Sequence, residues 1–163
     1  HQVRPSCFLR ARHALAAAVA ATGEPVEAMA HANFDLIDRF FDAYGRRDMA
    51  ALRAVLADEA AWVFPGRSRF SGTHRGAEAI VAFFDAMCGM IGRSNVKCEF
   101  VFPEANDTYV VECQHVWTNR PDGRNLDTQW CVRWQFAQGK IVEGRHFAAD
   151  QYAVDAFYQS ITP

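Results

Sequence analysis

Several things are scarce or missing in this chain of 163 residues, and each absence narrows the possibilities. Basic charge is not in surplus: 17 Lys and Arg face 19 Asp and Glu, a net charge of −2 with the histidines neutral. Nothing therefore favours the neutralisation of phosphates, and a nucleic-acid partner is not expected. No apolar run approaches the 18 or so residues that a membrane-spanning helix needs. The five cysteines, Cys7, Cys88, Cys98, Cys113 and Cys131, form no C-x-x-C pair and no His/Cys spacing of the kind that binds zinc. An odd, scattered set argues against a disulfide framework and for a reducing, cytoplasmic compartment. No repeat, low-complexity tract or linker interrupts the chain. With half the residues apolar and 22% charged, general disorder is excluded too.

What the chain does have is rings. It holds 13 Phe, 4 Trp and 4 Tyr, a large number for one domain of this size. The first 32 residues read as a helical extension, with an alanine-rich helix over about Ser6 to Thr22 that ends at Gly23 and Pro25. Arg10, Arg12 and the alanines also bear a loose likeness to the basic and apolar parts of a signal peptide. A single domain follows over 33–163. Asn33 is placed to cap a helix with Leu36, Ile37, Phe40, Phe41 and Tyr44 at helical spacing, loosened by Gly45. Asp48 caps a short helix over Met49 to Leu56. Ala60–Phe64 reads as a strand stopped by Pro65-Gly66, and Gly72–Gly76 as a loop. Ile80, Phe83, Phe84, Met87 and Ile91 form the stripe of a third helix.

Beyond it the apolar period drops from about 3.6 to 2. Strands are expected over Val96–Phe102, Thr108–Thr118, Leu126–Phe136 and Lys140–Phe147, joined by turn-forming sequences, with a last helix from Gln151 capped by Asp150. Helices first and a meander after them predict an α+β domain with helices on one sheet face. Alternation assigns the inner face. Leu126, Thr128, Trp130, Val132, Trp134 and Phe136 share one side of their strand; Tyr109, Val111, Cys113, His115 and Trp117 share the apolar side of theirs. Val142, Gly144 and His146 do the same in the last strand. Two histidines are thereby expected inside, where burial would keep them neutral and able to accept protons near pH 7, with Tyr44 as a third polar tip. Trp62, Phe64, Phe83, Met87, Trp117, Trp130 and Trp134 are expected to line an apolar pocket for a small hydrophobic molecule, cyclic ones included.

The motifs Phe40-Phe-Asp-Ala-Tyr-Gly-Arg-Arg-Asp48, Leu56-Ala-Asp-Glu-Ala-Ala-Trp-Val-Phe-Pro-Gly66, Gly72 to Phe84, and Gly139-Lys-Ile-Val-Glu143 with Arg145-His-Phe147 carry a resemblance. In this order they resemble the nuclear transport factor 2-like superfamily, and within it the SnoaL-like polyketide cyclases and the ketosteroid isomerase-like families. The resemblance implies a cone-shaped half-barrel: a curved antiparallel or mixed sheet on three helices, often a homodimer through the outer sheet face. It also tests particular chemistries. Phe64 stands where ketosteroid isomerases carry their catalytic aspartate, and Phe40 near their oxyanion-holding tyrosine. The Arg-x-Asp pair of limonene-epoxide hydrolases aligns with Cys113 and His115, and the acid of the last strand with His146. Tyr44 matches a first-helix tyrosine of scytalone dehydratase, whose neighbouring aspartate is replaced by Gly45. The resulting expectation is a cofactor- and metal-independent acid–base isomerase, dehydratase, cyclase or hydrolase acting through His115, His146 and Tyr44. The competing expectation is a non-catalytic ligand-binding or protein-interaction module on the same fold.

Overall fold

The structure, a computed structural model, describes residues 31–162, so the helix expected over Ser6–Thr22 lies outside the described residues. Three helices come early: α1 (Ala32–Arg46), α2 (Met49–Val55) and, after strands β1 (Leu56–Phe64) and β2 (Gly72–Arg75), α3 (Gly76–Ile91). The meander follows as β3 (Val96–Ala105), β4 (Tyr109–Thr118), β5 (Asp127–Ala137) and β6 (Lys140–Ala148), and α4 (Gln151–Ser160) ends it. The segment expected to be a loop at Gly72–Gly76 is thus mostly a strand, held by pairs such as Trp62 with His74. Beta-strand β1 also starts four residues earlier than the apolar run suggests.

Caps explain most helix boundaries. Asp48 accepts a hydrogen bond from the Ala51 amide at 3.0 Å, and Asp150 one from the Ala153 amide at 3.0 Å. The cap of α1 is His31, whose Nδ1 accepts from the Asn33 amide at 3.2 Å. Asn33 does another job: its side-chain amide donates to the carbonyls of Asn106 and Asp107, fastening the start of α1 to the β3–β4 turn. Gly45 stays helical, and the chain turns out at Arg47 in the left-handed region, φ 60°.

The six strands form one open sheet in the order β2-β1-β6-β5-β4-β3. Every neighbouring pair is antiparallel except β1 with β6, which run parallel and join the first strand to the last. Helices α1 and α3 lay Phe34, Ile37, Phe40, Phe41, Ile80, Phe83, Phe84 and Met87 into the core against the inner sheet face. The result is the expected α+β cone. No helix among the described residues is long and apolar enough to cross a membrane.

The face of β5 is as its alternation predicts, with Trp130, Val132, Trp134 and Phe136 buried. The face of β4 is reversed. Val110, Glu112, Gln114, Val116 and Thr118 point inward, and Val111, Cys113, His115 and Trp117 outward. A strand with an apolar set on one side has buried the other, because the inward polar groups have specific partners. The Trp130 indole N–H donates to Gln114 Oε1 at 2.9 Å, and the Trp134 indole N–H to Glu112 Oε2 at 3.1 Å. A buried indole donor requires an acceptor, and that requirement outweighs the apolar pattern. In β6 a bulge shifts the register and buries Ile141 instead of Val142, while Gly144 and His146 stay inside.

Candidate functional site

The interior between sheet and helices is walled by interlocked rings. Trp62 stacks on Phe40 with centroids 6.3 Å apart and meets Trp134 and Phe84 edge-on at 4.9 and 4.8 Å. Phe64 contacts Phe83 at 5.4 Å, and also Trp130 and Tyr158. Edge-to-face geometry lets large rings fill space without gaps. The expected roomy pocket is accordingly closed: the enclosed space beside Met87, Leu126, Trp130 and Tyr158 amounts to about 20 Å³, enough for one water molecule.

His146 lies inside this cluster, 3% exposed, where the sequence places it. Its ring is packed by Phe64 at 5.0 Å, Trp130 at 4.9 Å and Trp62 at 5.5 Å. Burial pushes its pKa down to about 3, so the imidazole is neutral across the physiological range. Trp62 decides the tautomer. Its indole N–H donates to Nδ1 at 3.2 Å, and indole can only donate, so the ring proton resides on Nε2. That Nε2–H is buried and has no hydrogen-bond partner among the described residues. The hydroxyl of Tyr158 is in the same condition. Burial raises its pKa, so it too remains a donor. Both side chains touch the Phe64 ring, so two unpaired donors flank the same aromatic side chain.

Glu112 and Gln114 are buried acceptors on the inner face of the sheet. Glu112 is 1% exposed and pairs across the sheet with Val132, which in turn pairs with His146. Two strand spacings separate them, about 10 Å. Gly144 completes the arrangement, since a Cβ there would run into the Trp62 ring. Only glycine leaves room for the Trp62 ring against β6, where its indole reaches His146.

The other two residues expected to act with His146 are elsewhere. His115 is on the outer face, its side chain 29% exposed, with Nδ1 2.9 Å from Glu99 and Nε2 2.7 Å from Asp127. Hydrogen bonds to Glu99 and Asp127 raise its pKa. It stacks on Trp117, which likewise lies on the outer face, away from the interior rings. The alignment that set an Arg-x-Asp pair against Cys113 and His115 is off by one residue as regards facing; Glu112 and Gln114 are the inward pair. Tyr44 is buried as a ring, but its hydroxyl leaves the interior and donates to Asp85 at 2.7 Å. Burial works against the Asp85 carboxylate, yet bonds from Arg47, Tyr44 and Arg93 hold its pKa below the usual range. Trp62, Phe64, Phe83, Met87, Trp130 and Trp134 do face the interior. His74 accompanies them at the edge, bonded to the Phe70 carbonyl and stacked on Phe83. No group of three or more His, Cys, Asp or Glu side chains among the described residues is disposed to hold a metal.

Sequence reasoning missed Glu112, Gln114 and Tyr158. A signal for the first two existed: the inward tryptophans of β5 need buried acceptors, and the antiparallel register sets Gln114 opposite Trp130. Tyr158 sits one turn beyond Val154 on the buried stripe of α4.

Open mixed sheet, three helices on its inner face and a closing C-terminal helix define a cone-shaped, nuclear transport factor 2-like protein with a ring-lined interior. The chain belongs to the family of SnoaL-like domains, whose model matches residues 37–144. It is similar to an uncharacterized protein of Mycobacterium tuberculosis, 29% identical over 128 residues that cover 78% of this chain and 96% of the relative. Among solved structures it is similar to Bal32a from a soil-derived mobile gene cassette, at 31% identity and TM-score 0.65, covering 78% of this chain and 96% of that one. An NTF2-like protein from Burkholderia xenovorans LB400 matches at 25% identity and TM-score 0.61, over 78% and 95% of the two chains.

Proposed function

We propose that this protein is a cofactor-independent acid–base enzyme, of isomerase or cyclase type, acting on a small, neutral, largely apolar molecule that carries a carbonyl. The observation that carries the reading is the pair of buried, unpartnered donors, His146 Nε2–H and Tyr158 O–H, on two rings that both pack against Phe64. Donors aimed at a carbonyl oxygen stabilise the negative charge that develops on it when a neighbouring proton leaves. A neutral imidazole suits this role, because it polarises the oxygen without first giving up its proton. Glu112, on the same inner face, is the acceptor for that proton. His146 therefore acts as an electrophile here, and the proton-accepting duty foreseen for the histidines passes to a carboxylate.

A ligand larger than water must displace wall side chains, of which Met87 is the most adaptable. That closed interior also favours a second reading, a ligand-binding module without catalysis. A panel of neutral cyclic ketones, screened by thermal shift and calorimetry, tests both. Binding to the wild type should weaken at least tenfold in His146→Phe and in Tyr158→Phe; equal affinity in all three overturns the proposal. With a turned-over ligand in hand, Glu112→Gln should bind normally and lose about a hundredfold or more in rate. Unchanged rate removes Glu112 from the chemistry, and binding without turnover in the wild type leaves the module reading.

The same proposal includes a homodimer through the outer sheet face, where Tyr109 and Phe147 stand exposed on either side of the Arg133 guanidinium. It also includes a cytoplasmic setting, where thiols such as those of Cys88 and Cys98 are kept reduced.

A further inference from the structure

The outer face of the sheet holds a pair of sulfurs that the chemistry of the interior does not use. Cys113 on β4 and Cys131 on β5 are direct partners in the antiparallel register, and their Sγ atoms lie 2.9 Å apart. A disulfide bond is about 2.05 Å long and spans Cα atoms roughly 4.4–6.8 Å apart. Directly opposed residues of an antiparallel pair fall within that span whether or not they exchange backbone hydrogen bonds, at about 5.5 or 4.5 Å. The two sulfurs are thus less than 1 Å from bonding distance, on directly opposed residues whose general spacing suits a disulfide. Both residues are partly exposed, unlike thiols sealed in a core. Burial and the hydrogen bond with Cys113 push the Cys131 thiol up to about 11, which keeps it protonated and slow to react near neutral pH.

We propose that Cys113 and Cys131 form a reversible cross-strand disulfide, a redox modification site on the outer face of the sheet. The oxidant is a low-molecular-weight disulfide of the glutathione class. One cysteine thiolate attacks it, a glutathione thiolate leaves, and a mixed disulfide remains on the protein. The neighbouring sulfur then displaces the second glutathione. Two S–H bonds are lost and one S–S bond is made; two electrons and two protons leave with two molecules of reduced glutathione. The new bond fastens β4 to β5 between two interior pairs, Glu112 with Val132 and Gln114 with Trp130. Oxidation therefore braces, from behind, the strands that carry the buried acceptors Glu112 and Gln114 and their indole partners.

The test uses the full chain in buffers stepped from fully reduced to fully oxidised glutathione, quenched by acid, alkylated and read by intact mass and peptide mapping. Two thiols should become unavailable to the alkylating reagent together, with a single crosslinked peptide joining Cys113 to Cys131, and dithiothreitol should restore both. Cys131→Ser should stop at a mixed disulfide on Cys113. Persistence of both alkylatable thiols in the most oxidising buffer overturns the proposal. So does a crosslink that joins two copies of the chain or engages Cys88 or Cys98 instead.

Discussion

The two faces of the sheet each carry a histidine, and the contrast between them separates what burial does from what partners do. His146, inside, meets rings and one indole donor, and its proton affinity falls. His115, outside, sits between two carboxylates on neighbouring strands, and its proton affinity rises. Residue type and alternation were the same in both strands. The polar partners brought by the adjacent strands set the outcome, and they also set which way β4 faces. Among the described residues three buried side-chain polar atoms lack a partner: Arg133 Nε, on a residue of the outer face, and His146 Nε2 and Tyr158 Oη, which mark the candidate site.

The contrast can be broken most forcefully at Gly144. Gly144→Ala drives a methyl into the Trp62 ring, and chemical denaturation should show a loss of about 3 kcal/mol or more, with a changed tryptophan spectrum. A loss under about 0.5 kcal/mol would mean that Trp62 does not lie on β6 as described.

The next effect is acid sensitivity. His146 has a folded pKa of about 3 against roughly 6.5 unfolded, so below pH 6.5 the unfolded chain takes up a proton that the folded chain refuses. Stability should fall by up to roughly 1.4 kcal/mol per pH unit from about 6.5 downward, levelling near pH 3. His146→Leu should lose this contribution; an identical acid slope in the variant would show that His146 is not the buried, neutral group. Smaller again is Gln114→Leu, which orphans the Trp130 indole and should cost about 1–2 kcal/mol, with Gln114→Glu recovering most of it. No loss in the leucine variant would sink the pairing argument for the direction of β4.

His115 gives the smallest effect, of opposite sign. Its folded pKa is raised, so its contribution is complete below about pH 6.5 and is lost as pH rises through the raised value. The stability gap between wild type and His115→Gln should narrow with rising pH, whereas the acid loss due to His146 recedes over the same rise. A gap that widens would place His115 in a different environment.

These comparisons also show where the sequence was readable. Helical stripes, the caps at Asp48 and Asp150 and the inner face of β5 follow from spacing, because each buries a continuous apolar set against a neighbour. The direction of β4 does not, since Val111, Cys113 and Trp117 form as good an apolar stripe as Val110 and Val116. Glu112 and Gln114 tip the balance only once they are set opposite Trp134 and Trp130, a relation that lives in the pairing of strands. The interior volume was unreadable for a similar reason: a count of rings does not say whether they stack into a wall or interlock into a solid.

The parallel seam between β1 and β6 has a bearing on how the chain is made. About 75 residues separate the two strands, and everything from β2 to β5 lies between them in the sequence. While the chain emerges from the ribosome, β1 and β2 can pair with each other but have no place in the larger sheet until β6 follows. Trp62 then acquires its groove over Gly144 and its hydrogen bond to His146 in one late event. A chain released before Gly139 has α1 to α3 and most of its meander, yet it lacks β6 and α4 and with them the closed interior.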